Sequence, residues 1–295
     1  MIHFGIPQEK RARLILNTDA KNEVDDQFAI AHAILSESIE LNGIIAAHFG
    51  QERSQHSEED SYAEIKHLVN LMDIQPDYPI VHGGKHAIPD DHTPVLSEGA
   101  QLIINEAMKD DPRPLHIAFL GPLTDMASAL MLAPQIRKRN IRVIWIGGRN
   151  WPCGGWEYNL QNDIVAANYV FHSDVELWQI PRDVYRMMPV GFPELYTKVH
   201  PYGRIGEYLC DNVIRFNNAE ADRPVGFRNL GDSPAVGVVL YEDCGESEWR
   251  PAPAIDAQMH YIHTGKNRPI KVYKNINSRF ILEDFFALLQ LFHQS

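Results

Sequence analysis

Short apolar runs alternate with longer helix-like runs through most of the chain, and no other feature constrains its fold as tightly. "RLILNT" leads into "DQFAIAHAILS", "IELNGIIAAHF" into "SYAEIKHLVNLM", and "YPIVHGG" into "GAQLIINEAMK". "LHIAFLGP" then leads into "LTDMASALML" and "IRVIWIGG" into "NDIVAANYVFH", and "VELWQIPRDV" follows. The short runs read as buried strands. Their alternation with helices predicts an α/β fold: a mostly parallel, Rossmann-like open sheet with helices on both faces. In such a sheet the ligand sits in the crevice outside the carboxyl ends of the strands. The residues to read are therefore Asp19 after "LILNT", Gly83-Gly84 after "YPIVH", Gly121 to Thr124 after "IAFL", and Gly147-Gly148 after "VIWI".

Composition narrows the partners. The chain has 295 residues, 44% hydrophobic and 22% charged, enough to bury a substantial core. We read 1–295 as a single domain, with the irregular stretch from 189 to about 222 as a helical insertion or cap near the site. The net charge of -12 argues against nucleic acid and against an anionic membrane as partners. No run approaches the ~18 apolar residues of a membrane span, and the first residues lack the apolar stretch of a signal peptide. Three cysteines without CxxC spacing fit a reducing compartment, so a cytoplasmic protein is expected.

Between Leu14 and Leu35 the loop after the first apolar run carries four acids in eight residues: Asp19, Glu23, Asp25 and Asp26. Such a run either points into water or shares a hard divalent cation, which prefers oxygen ligands. Position favours the cation. Asp19 follows a buried strand, and Asp25-Asp26 precede a helix whose dipole and unpaired N–H groups stabilise carboxylates. An EF-hand loop does not fit: counted from Asp19, the sixth residue is Val24 rather than Gly and the twelfth is Ile30 rather than Glu. Aspartate-nucleophile phosphatases place a second Asp two residues on, where this chain has Lys21. A metal-dependent phosphohydrolase also needs cations for the phosphate, and only Lys21 and Arg149 offer themselves.

The stretch Asn17-Thr18-Asp19-Ala20-Lys21-Asn22-Glu23-Val24-Asp25-Asp26 resembles the D-x-D-P-G-x-D-D signature of the inosine–uridine-preferring nucleoside hydrolases. The first Asp is replaced by Asn17, and the loop is longer by two residues. "FLGPLTDMASAL" is similar to that family's L-G-P-L-T-N-x-A-x-A-L, and "WIGGRNWPCGGWEYNLQNDIVAANYVF" to its G-G … E-F-N-x-x-x-D-x-x-A-A segment. "LGDSPAVGVVL" resembles H-D-P-x-A-V with Gly231 in place of the usual His, and "NINSRFILEDFFALLQ" resembles the closing strand–helix unit. The resemblance spans essentially the whole chain.

It implies Ca²⁺-dependent hydrolysis of the N-glycosidic bond of a ribonucleoside or related N-ribosyl compound, in base salvage. The implied Ca²⁺ ligands are Asp19, Asp26, Asp232 and the main-chain carbonyl of Thr124, with Asp19 also the general base. Asp25 and Asn22 would bind the sugar with Glu157 and Asn159. For the leaving base, His48, His82 and Trp156 are candidates, the last by stacking. A homodimer or homotetramer is implied too. Asn17, Gly231 and the longer loop keep open a non-catalytic sugar- or calcium-binding member, and the phosphohydrolase stays as a third reading.

Overall fold

In a computed structural model, the structure describes residues 4–220 and 225–294. Strand β1 (Ala12–Thr18) leads through the acidic loop into helix α1 (Asp26–Leu35), and β2 (Ile39–Ala46) into α2 (Ser57–Leu71). β3 (Ile80–His82) precedes α3 (Glu98–Ala107), and β4 (Leu115–Phe119) precedes α4 (Thr124–Leu132). β5 (Ile141–Ile146) is followed by α5 (Tyr158–Asn162) and α6 (Ile164–His172), and β6 (Glu176–Ile180) by α7 (Arg182–Tyr185). A short strand β7 (Pro189–Gly191) precedes α8 (Phe192–Lys198) and α9 (Gly203–Ala219), then pairs with β8 (Phe227–Asn229) ahead of α10 (Ser233–Leu240). Beyond these come β9 (Ser247–Pro251), β10 (Ala254–Ile255), β11 (Tyr261–Ile262), β12 (Pro269–Tyr273) and α11 (Ser278–His293).

The main sheet runs β3-β2-β1-β4-β5-β6-β12-β9. All neighbours in it are parallel except β12 and β9, which pair antiparallel at one edge. The expected mostly parallel sheet with helices on both faces is what forms. Strand pleating divides the core between the faces. Leu14, Leu16, Ile44 and Ile144 face the helices α1, α2, α9, α10 and α11, while Ile15, Ile45, Phe119 and Trp145 face α3, α4 and α6.

From β1 the chain proceeds outward through β2 and β3, then returns to β4 on the other side of β1 and proceeds the opposite way. The connections therefore diverge at the carboxyl ends of β1 and β4, which opens a crevice there. The 189–222 segment supplies β7, α8 and α9, whose Leu195, Ile205, Leu209 and Val213 join the α1-side core. Residues 221 and 222 of that expected cap lie outside the described residues. Among the described residues, no helix is long and apolar enough to cross a membrane.

Candidate active site

The crevice holds a cavity of about 420 Å³ walled by Asp19, Asp25, Asp26, Glu157 and Asp232, with Asn22, Asn159 and Tyr185 among its polar neighbours. The acids arrive from several pieces of local structure. Asp19 follows β1, and Gly121 after β4 makes room for it: a Cβ at Gly121 would stand 2.8 Å from Asp19 Oδ1. Asp25 and Asp26 open α1, and Asp232 opens α10, which packs beside α1. Ligand oxygens of Asp25, Asp26 and Asp232 all lie within 4.8 Å of one another.

Burial sets their electrostatics, with Arg228 offsetting part of the effect at Asp25. Burial, reinforced by the Asp26 charge, holds the Asp19 carboxyl well above the usual range. Burial and Glu23 push Asp25 up to about 7. Asp26 rises to about 6 through burial, against a hydrogen bond from the Thr18 hydroxyl. Asp232 is raised well above the ordinary value by burial and by Asp25. A cluster of carboxylates that protein donors leave mutually repelling suits a hard, oxygen-seeking cation. The donor set thus fits calcium.

Glu157 and Asn159 reach the same cavity on structural anchors. Glu157 caps α5: Oε2 accepts from the N–H groups of Gly148 (2.8 Å) and Leu160 (3.0 Å), and Oε1 from the Tyr185 hydroxyl (2.9 Å). Asn159 Nδ2 donates to the carbonyls of Leu120 (2.6 Å) and Ile146 (2.8 Å), tying it to the ends of β4 and β5. Only Oδ1 of Asn159 is left to meet a ligand. Asn22 Nδ2 donates to Asp19 Oδ2 at 3.2 Å, and its own Oδ1 accepts from Arg53.

Four expected residues sit elsewhere. Thr124 does not line the cavity; its hydroxyl donates to Asp163 Oδ2 (2.6 Å) and also meets His48 Nε2 (2.9 Å), because α4 begins at Thr124 and turns it away from the crevice. Leu120, three residues past the Ile117–Ile15 rung of the sheet, is the β4-end residue in the cavity wall. His48 is buried beside Thr124, and burial lowers its pKa to about 4, so it stays neutral at neutral pH. His82 stacks on Tyr62 at 3.9 Å and bonds Glu58 through Nδ1 at 2.7 Å. Neither histidine lines the site. Trp156, 49% exposed, lines an adjoining outer cavity rather than the acidic one. Lys21 and Arg149, the cations a phosphohydrolase would use, also lie outside the acidic cavity, Lys21 against Glu64 (2.6 Å) and Arg149 against the Trp156 carbonyl.

Two departures in the sequence turn out to be one. Asn17 Nδ2 donates to Asp125 Oδ2 at 2.9 Å, fully buried beneath the site. The family motifs carry Asp and Asn at these two positions, and this chain has them exchanged. The pair as it stands here holds one donor, Asn17, and one acceptor, Asp125. Gly231, standing where His is usual, donates its N–H to Asp25 Oδ2 at 2.9 Å, and a Cβ there would meet Tyr185 Cδ2 at 3.0 Å.

Sequence reading missed Tyr185, Tyr158 and Arg228. Tyr185 and Tyr158 line both cavities, and Arg228 pairs with Glu23 at their junction. Tyr158 stands between Glu157 and Asn159 in the quoted E-F-N-like segment and was passed over there. Tyr185 and Arg228 belong to no spaced motif, and only the position of α7 directly after β6, at the same sheet edge as Gly147-Gly148, could have pointed to Tyr185.

Residues 14–277 match the family model described as inosine-uridine preferring nucleoside hydrolase. The chain is 25% identical over 217 residues to the non-specific ribonucleoside hydrolase RihC of Salmonella paratyphi A, covering 66% of this chain and 69% of that protein. Among solved structures it resembles a purine-preferring ribonucleoside hydrolase from Gardnerella vaginalis (TM-score 0.77, 21% identity, 96% of this chain and 99% of the other). It also resembles an inosine-uridine preferring nucleoside hydrolase from Bacillus anthracis (TM-score 0.67, 18% identity, 95% and 99%).

Proposed function

The chain belongs to the inosine-uridine preferring nucleoside hydrolase family, and from that premise we propose that it hydrolyses the N-glycosidic bond of a ribonucleoside-type substrate with calcium bound in the acidic cavity. One observation carries the reading: three buried aspartates, the half-buried Asp25 and buried Glu157 converge on a single cavity at the strand ends. Asp19, Asp26 and Asp232 would hold the ion, with Asp25 close enough to share it. Leu120 replaces Thr124 as the β4-end residue that can offer a main-chain carbonyl. When bound, calcium offsets the repulsion among the acids and orients the ribose diol.

The chain's own groups do the rest. N-glycosidic cleavage passes through an oxocarbenium-like state with positive charge on the ribose ring. Asp25, Asp26, Asp232 and Glu157 place negative charge around that ring before the charge develops. Asp19 accepts a proton from the water that adds to C1′ as the C1′–N bond breaks and its electron pair leaves with the base. Asn22, hydrogen-bonded to Asp19, positions that carboxylate. Glu157 and the Oδ1 of Asn159 accept from the remaining ribose hydroxyls.

The test is ribose release from a panel of ribonucleosides with and without a chelator. Release that chelation abolishes and Ca²⁺ restores is expected. Ribose release indifferent to chelation would remove the metal from the reading, and no release from any member would remove the hydrolysis.

A further inference from the structure

Above the acidic cavity lies a second, larger one, and its charge has the opposite sign. Arg53, Arg182, Arg186 and Arg228 line it, against two carboxylates, Glu23 and Asp25, at the junction with the acidic cavity. Arg182 and Arg186 stand one helical turn apart on and just beyond α7, so both present the same face. Neither side chain has a carboxylate partner among the described residues. Arg228 is 4% exposed and pairs with Glu23 through Nη2, while its buried Nη1 has no hydrogen-bond partner. Trp156, Tyr158 and Phe227 supply flat apolar surface in the same wall. A buried guanidinium N–H without an acceptor is a site for an anion.

Two features that set this chain apart from its family's motifs meet here. The longer acidic loop delivers Glu23 to Arg228 and Asn22 to Arg53. Gly231, which lines both cavities, leaves the passage between them without a side chain. From this arrangement we infer that the outer cavity receives a leaving group bearing an anionic substituent, so that the substrate is an N-ribosyl compound with a carboxylate on its base. The inference rests on the hydrolase reading only for the placement of the ribose over the acids. The acids then face the sugar, which becomes positive, and the arginines face the negative end of the leaving group.

The test uses pairs that differ by one carboxylate on the base: nicotinamide riboside against nicotinic acid riboside, and uridine against orotidine. Inosine against inosine 5′-monophosphate moves the negative charge to the ribose instead. Ribose release reports cleavage, and stopped-flow tryptophan fluorescence on the calcium-supplemented protein reports binding. The carboxylated member should bind about tenfold more tightly, the worth of one charge-assisted hydrogen bond. Arg182→Gln with Arg186→Gln should bring that ratio down to about twofold, and added salt should shrink it in the wild type. Should the double variant fail to fold, Arg186→Gln alone, at an exposed position, gives the same comparison with smaller amplitude. No preference for the carboxylated members, an absence of binding included, overturns the inference; so does a preference confined to the 5′-phosphate. A binding preference without ribose release from any compound sustains it and overturns the hydrolase reading instead.

Discussion

Asp125, in the first turn of α4, and the Asp19–Asp25–Asp26–Asp232 group both lie on the carboxyl side of the sheet and are largely buried, yet their surroundings differ in kind. Asp125 accepts from Asn17 Nδ2 (2.9 Å), the Gly84 N–H (2.9 Å) and the Ser97 hydroxyl (2.6 Å). Burial raises its pKa, and each of those hydrogen bonds works against the rise. In the group of four, other carboxylates add to burial as causes of the rise for Asp19, Asp25 and Asp232. A buried acid satisfied by donors is part of the scaffold; buried acids that face one another are waiting for something positive. The same distinction separates Asp163, fully engaged with Thr124, Ile88 and Ala166, from Asp232, whose side chain does not cap the helix it opens.

The strongest way to break this comparison is at Asp19. Asp19→Asn keeps the shape and removes the proton acceptor, so kcat should fall by roughly 10²–10⁴-fold with a much smaller change in KM. Steady-state kinetics showing turnover near wild type would move the base to another residue.

Next comes the scaffold pair. Asn17→Asp sets two carboxylates against each other with no cavity to take a cation, and should cost about 1–3 kcal/mol in a denaturant melt. Adding Asp125→Asn to that variant restores one donor and one acceptor in the opposite sense and should recover most of the loss. A double variant no more stable than Asn17→Asp would show that the two positions are not coupled.

Protonation sharpens the contrast further. Asp25 and Asp26 titrate near 7 and near 6 in the folded chain, above the ~4 of an unfolded carboxylate, so the folded state binds protons that the unfolded state gives up. Their contribution is fully present below about pH 4 and is lost as pH rises through about 6 to 7. The Tm of the metal-free protein should therefore fall from about pH 5 to about pH 8, and added Ca²⁺ should raise Tm most at the upper end. In metal-free protein at pH 8, Asp26→Asn should raise Tm, whereas Asp125→Asn should lower it. Scanning calorimetry with both variants moving the same way would erase the distinction drawn here.

The smallest effect is expected at Tyr185. Tyr185→Phe removes the hydroxyl that donates to Glu157 and leaves the ring in place. A loss of about 1 kcal/mol, or a few-fold in kcat/KM, is the ordinary worth of such a bond. Glu157 retains its three backbone donors, so the fold should be unaffected.

What could be read from the sequence followed from periodicity and from order along the chain. The apolar runs located β1 to β6 but not β12, which joins the sheet parallel to β6. A strand end pointed to Asp19, because it is a position in space as well as in sequence, while Glu157 and Asp232 came from the resemblance. Thr124 was misplaced for a local reason. The turn "LGPLT" presents Leu120 to the cavity and hands Thr124 to α4, and no pattern of apolar residues reports which end of a five-residue turn faces inward. Asn17 looked like a defect in its motif and Asp125 was passed over; the 2.9 Å between them depends on the pairing of β1 with β4. The arginines of the outer cavity come from three separate places, the loop at Arg53, the helix α7 with its cap, and strand β8, and charge of one sign gathered from such distances has no signature in a linear chain.

Gly231 carries a consequence for how this site can change over generations. A side chain there would press within 3.0 Å of the Tyr185 ring and 3.2 Å of Asp25 Oδ2. Tyr185 in turn holds Glu157, and Asp25 holds the Gly231 N–H. A lineage starting from this chain gains a side chain at 231 only as the Tyr185 ring and Asp25 give way by a few tenths of an ångström. Any such shift is passed on to Glu157, so a tyrosine outside the acid cluster couples what can stand at 231 to how Glu157 is held.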